Sequence, residues 1–142
     1  MNPILRNVLA VIAGIAVGMI VNMGLVTISG SIIAPPEGVN PSDMESLKEN
    51  MHLFQPQHFI MPFLAHALGT LAGAFVAALI AVSYKMKIAI GMGFFFLIGG
   101  IVAVTMIPSP TWFAVLDLVG AYIPMGMLGG KLGIGANSED IK

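Results

Sequence analysis

The stretch FIMPFLAHALGTLAGAFVAALIAVSY, Phe59–Tyr84, contains no Asp, Glu, Lys or Arg. A helix needs about 20 consecutive apolar residues to cross a hydrocarbon core, and this run exceeds that. It is continuous rather than alternating, so it does not have the pattern of a membrane β-barrel strand. Working outward, three more stretches read the same way: about Leu5–Ser29, Met86–Ile107 and Thr111–Lys131. Together the four use most of the 142 residues. The expected fold is therefore all-α and integral to a membrane. Residues 1–142 form one domain with four transmembrane helices in a bundle.

The composition agrees. Hydrophobic residues make up 57% of the chain and charged residues only 9%, with a mean hydropathy of +0.94. A soluble domain carries about 25% charged residues, too many for this chain to match with a water-facing surface. Lipid is then the solvent for much of it. The apolar run after Arg6 is longer than the roughly 7–15 residues of a signal-peptide core, so it reads as a span and not as a cleaved leader. There is no cysteine, which excludes disulfides, thiol redox chemistry and cysteine-held metals. Net charge is −1 and no basic stripe is present, so nucleic acid is not an expected partner.

Charges sort by side. Arg6, Lys85, Lys87, Lys131 and Lys142 flank the spans on one side. Lys48 stands alone on the other, among Glu37, Asp43, Glu45 and Glu49. The positive-inside rule then places both termini and the Lys85–Lys87 turn in the cytoplasm, as in a multi-pass protein of the cell inner (plasma) membrane. The acidic loop of residues 30–58 and the Pro108–Pro110 turn face outward. In that loop Pro35 and Pro36 favour extended chain. Ser42 and Glu45 then have capping-box spacing. Met44, Leu47, Met51 and Phe54 recur at helical spacing. A short amphipathic helix is expected there, between the first and second spans. It serves as a connector lying on the membrane surface or hiding its apolar stripe on the bundle, in preference to a lid. Residues 132–142 form a cytoplasmic tail, polar and frayed from Asn137 onward.

Seventeen glycines weaken helices in water but permit close backbone approach in lipid. Ala10, Gly14, Gly18 and Asn22 line one face of the first span; Ala65, Gly69, Gly73 and Ala77 line one face of the second. The seams centred on Gly14, Gly18, Gly69 and Gly73 are expected to carry helix packing, either within one chain or between protomers. With only four short helices, a homo-oligomer or a subunit of a larger membrane complex is expected.

Asp117 is the only acidic residue in the four segments, and His66 the only histidine. A lone carboxylate in hydrocarbon is costly, so Asp117 needs a partner or a purpose. Counted at 1.5 Å per residue from the outer span ends, Asn22, His66 and Asp117 all lie roughly 10 Å deep. The third span passes that level at Gly99–Gly100, which leaves room. Thr70 is one turn deeper than His66 on the same face. The expected buried polar cluster is thus Asn22, His66, Thr70 and Asp117. Pro124 removes the backbone hydrogen bond to the Gly120 carbonyl, just past Asp117.

Other chemistries fare worse. His52, His58 and His66 have no compact metal-ligand spacing, and one chain lacks a second intramembrane histidine for haem. No metal or cofactor is expected. Ser29, Ser83 and Ser109 sit at span ends, away from His66, so nothing points to acyl chemistry or to an enzyme. Two functional expectations remain. The first is a structural or assembly component whose cluster locks the bundle. The second is a small proton-linked carrier or channel using His66 and Asp117. The first is preferred, because the inner halves of the spans offer only Gly, Ala and apolar groups.

Overall fold

A computed structural model describes residues 2–139, with side chains to 137. It is all-helical, with no strand among the described residues. Six α-helices follow in order: α1 Pro3–Ile32, α2 Met44–Asn50, α3 Ile60–Ile80, α4 Lys85–Met106, α5 Thr111–Gly120 and α6 Ile123–Glu139. Short 3₁₀ turns at Met51–Leu53 and Pro56–Phe59 lead into α3. Four stretches are long and apolar enough to cross a membrane: Pro3–Ile32, Pro56–Ile80, Lys85–Met106 and Thr111–Asn137. Large apolar side chains such as Ile4, Ile20, Ile98 and Val119 are exposed along them, which suits helices whose outer faces meet hydrocarbon rather than water.

Helix α3 sits at the centre and packs against α1, α4 and α6, while α6 also packs on α4. Glycine decides how closely. A Cβ built on Gly14 would lie 2.6 Å from the Gly73 carbonyl oxygen, and one on Gly73 would lie 2.7 Å from that of Gly14. Gly18 and Gly69 repeat this pairing at 2.9 Å in both directions. The two seams read from the sequence therefore face each other within one chain. On the other side of α3, Gly129 abuts the Leu71 carbonyl and Gly133 sits against Ala78. Buried Ala74, Ala77, Ala78, Ala89 and Met92 fill the space between.

Three expectations need correction. The fourth span is not one helix over 111–131. It breaks at Ala121–Tyr122 into α5 and α6, the last α5 bond running from Ala121 N–H to the Asp117 carbonyl at 2.9 Å. Pro124 then occupies the first turn of α6, where its missing N–H costs nothing. Nor does the helix end at Lys131, with fraying from Asn137. Helix α6 continues to Glu139, because Gly133 packs on α3 and the Asn137 amide donates to the Leu79 carbonyl at 3.0 Å. Residues 140–142 of the expected tail lie outside the described residues. The cap of α2 is Asp43 and not Ser42: the Asp43 carboxylate accepts from Glu45 N–H at 3.1 Å, while Ser42 N–H is drawn to the Asn40 side chain.

The end of the molecule that carries Lys85 is stitched by side chains. The last carbonyls of a helix have no intrahelical partner. On α3 they are met by Arg6 Nε, which donates to Ile80 O at 3.0 Å, and by Asn137. Asn7 on α1 accepts from Val82 N–H at 3.0 Å and donates to Ser83 Oγ at 2.9 Å. Helix α3 accordingly stops at Ile80, short of the Tyr84 end expected from hydropathy. Asn7→Ala is expected to cost about 1 kcal/mol, the net worth of hydrogen bonds that water can partly replace. Denaturant titration of the variant in mixed micelles measures it.

Candidate functional site

Helix α3 delivers His66 to the middle of the fold, and α5 delivers Asp117 opposite it. His66 Nδ1 lies 2.9 Å from Asp117 Oδ1 and 3.0 Å from Oδ2. The two residues stand 51 positions apart in sequence, so tertiary packing alone joins them. Asp117 is 1% exposed and His66 23%. A third group completes the arrangement. Tyr122, at the start of α6, donates its hydroxyl to Asp117 Oδ2 at 2.9 Å. Its ring also stacks on the His66 imidazole, with centroids 5.8 Å apart and planes 29° off parallel.

Both Asp117 oxygens are thus hydrogen-bonded, to His66 on α3 and to Tyr122 at the α5–α6 break. Where Asp117 is ionised it only accepts, so His66 Nδ1 then carries the hydrogen, and Nε2 is the ring nitrogen that faces away from the pair. No buried side-chain nitrogen or oxygen among the described residues lacks a partner. The cost of taking Asp117 out of water is therefore offset within the fold. Thr70 is 1% exposed; its hydroxyl donates to the His66 carbonyl at 2.8 Å and holds that turn of α3.

Of the four cluster residues read from the sequence, the fold joins His66 to Asp117 and places Thr70 against the His66 backbone. Asn22 is not hydrogen-bonded to either one among the described residues. It lies across α1 with its Cβ against Gly69 and borders a cavity shared with His66, Thr70 and Tyr122. Tyr122 holds the place expected for Asn22. On an unbroken helix, residue i+5 lies well off the Asp117 face. The break at Ala121–Tyr122 is what brings it back.

The third span, α4, yields space as expected, at one glycine and not at both. A Cβ on Gly100 would collide with the Tyr122 hydroxyl, whereas nothing lies within 4 Å of one on Gly99. Gly100→Ala must push Tyr122 off Asp117. That costs about 1–3 kcal/mol against a helix-propensity gain of about 0.5–1 kcal/mol. Net destabilisation is expected for Gly100→Ala, and neutrality or a small gain for Gly99→Ala. Unfolding titrations of the two neighbours side by side read the difference.

Two cavities meet at His66. The larger, about 260 Å³, runs from α2 down to His66 and Asp117. Leu47, Met51 and Phe54 border it, so the apolar stripe of the connector turns inward over a space. The stripe is thus turned toward the bundle, which both the connector and the lid reading allow. A second cavity of about 220 Å³ lies between α1 and α4, which meet through the Phe96 and Met92 side chains at Gly18 and Gly14, and it shares His66, Gly100 and Ala103 with the first. No group of three or more metal-ligating side chains occurs among the described residues. No family model, curated protein or solved structure matches this chain.

Proposed function

We propose that this chain is a multi-pass membrane protein of structural or assembly type, in which the His66–Asp117–Tyr122 network locks α3, α5 and α6 together. Its place is the cell inner (plasma) membrane. Both termini and the Lys85–Lys87 turn are cytoplasmic, as the flanking charges require. One observation carries the reading: both side-chain oxygens of an almost fully buried Asp117 are hydrogen-bonded, to His66 on α3 and to Tyr122 at the α5–α6 break. A carboxylate in that state ties helices and is not held ready for a solute. The proposed partners are the lipid bilayer and either further copies of the chain or the other subunits of a larger membrane complex. The Gly14, Gly18, Gly69 and Gly73 seams are used within the chain, so such contacts fall to other faces. The exposed α4 surface of Phe94, Phe95 and Ile98 is the best placed.

A proton-linked carrier is the second reading. The cavity that ends on His66 and Asp117 favours it. Against it stands the packing below Thr70, where Gly14 meets Gly73 and Ala77 and small apolar residues close the space between the helices. Asp117→Asn and His66→Gln separate the two. A lock predicts that both variants unfold earlier in detergent, while the parent chain moves no protons in liposomes under an imposed gradient. A carrier predicts proton flux in the parent that both variants lose at unchanged stability.

A further inference from the structure

We propose that the chamber between α2 and His66 binds a small lipid-soluble alcohol or phenol, its hydroxyl on His66 Nε2 and its apolar body under Leu47, Met51 and Phe54. The proposal goes beyond the lock and does not rest on it. The lock uses Nδ1; the site uses the other ring nitrogen. Nε2 has no protein partner among the described residues, and the His66 ring borders both cavities.

The chemical class follows from the lining. Val26, Ile33, Val104 and Phe113 make the walls apolar, and His66 and Asp117 are the polar groups at the deep end. Asp117 is already engaged by His66 and Tyr122, so at the deep end Nε2 is the position open to a ligand, while His58, Ser29 and Ser109 also line the chamber. A neutral imidazole presents Nε2 as an acceptor, and a charged one presents N–H. A hydroxyl is both donor and acceptor, so it meets Nε2 in either state. A carbonyl or an amine meets only one. Size sets the body. A cavity of about 150 Å³ accommodates benzene, so the 260 Å³ here fits a molecule of about ten heavy atoms. Exposed Gly99, with nothing within 4 Å of a Cβ, lines the second cavity, and that cavity adjoins the chamber at His66, Gly100 and Ala103.

The test uses the full chain with ¹⁵N-labelled histidine in phosphatidylcholine nanodiscs. The probes are 1-naphthol and naphthalene, which differ by one hydroxyl. A saturable shift of the His66 Nε2 resonance is expected with 1-naphthol, with naphthalene weaker by about tenfold, the worth of one hydrogen bond. Leu47→Trp and Met51→Trp each fill the chamber from above. Either folded variant should lose the shift while its Nδ1 resonance still reports the Asp117 bond. No saturable shift overturns the proposal. So does equal binding of naphthalene, which would mark an apolar void, or a response that survives both tryptophan substitutions.

Discussion

Asp117→Leu is expected to destabilise the fold by about 2–4 kcal/mol, at or below the lower part of the roughly 3–5 kcal/mol range for breaking a buried pair from one side. The substitution keeps shape and removes every acceptor. It strands His66 Nδ1–H and the Tyr122 hydroxyl where water does not reach Tyr122, which is 2% exposed. Each stranded donor costs about 1–3 kcal/mol. Hydrogen bonds between membrane helices are weaker than this on average, about 0.6 kcal/mol, because the unfolded helices also find partners. Two donors losing one shared acceptor explains why the total still exceeds a single interhelical bond. Asp117→Asn should cost less than the leucine, since its amide oxygen keeps one of the two donors. Asp43→Asn, an exposed cap on α2, should change little, because asparagine caps as well as aspartate. Equilibrium unfolding in mixed micelles ranks the three.

Gly73→Val is expected to be as damaging by a different route. Its Cβ would stand 2.7 Å from the Gly14 carbonyl oxygen and 3.1 Å from Phe96 Cε2. The first obstacle is backbone, so α1 itself must move away. Overpacking typically costs about 1–3 kcal/mol and more when backbone shifts. Against this, leaving glycine gains at most about 1 kcal/mol of helix propensity. The clash wins, and α1 should lose its seat on α3. Gly91→Val is the matched control, because nothing lies within 4 Å of its Cβ. It should be neutral or slightly stabilising. Crosslinking between cysteines placed at Asn7 and Ser83, whose side chains touch, reports whether α1 remains docked. The crosslink should form in Gly91→Val and fail in Gly73→Val.

Helix positions were legible because hydropathy over 20 residues is a bulk property that no single side chain overturns. The spacing of Gly14, Gly18, Gly69 and Gly73 marked the two faces that meet, but spacing alone does not say whether two seams belong to one chain. The His66–Asp117 pair was legible by elimination, as the lone histidine and the lone acid of the apolar segments. Tyr122 was not. Its sequence distance from Asp117 puts it off-face on a continuous helix, and only the break after Gly120 restores the contact. The signal was present in Pro124, and in the general need of a buried tyrosine for a hydrogen-bond partner. Asn22 stands at the expected level and on the face that meets α3, but it borders the second cavity together with His66 and makes no hydrogen bond to the pair among the described residues. The inward turn of Leu47, Met51 and Phe54 was invisible as well, since an amphipathic stripe covers a bilayer surface and a cavity with the same periodicity.

His66 and Asp117 are proposed to work as one structural unit. A double-mutant cycle with Asp117→Leu and His66→Phe, read by unfolding free energy in mixed micelles, tests it most directly. Each single variant leaves a polar group without its partner, whereas the double variant replaces both with apolar groups of similar shape, which is often close to neutral. The account predicts that both single variants are destabilised and that the double variant recovers much of the loss, with a coupling of about 1–3 kcal/mol. Single variants as stable as the parent chain would contradict it, as would costs that simply add.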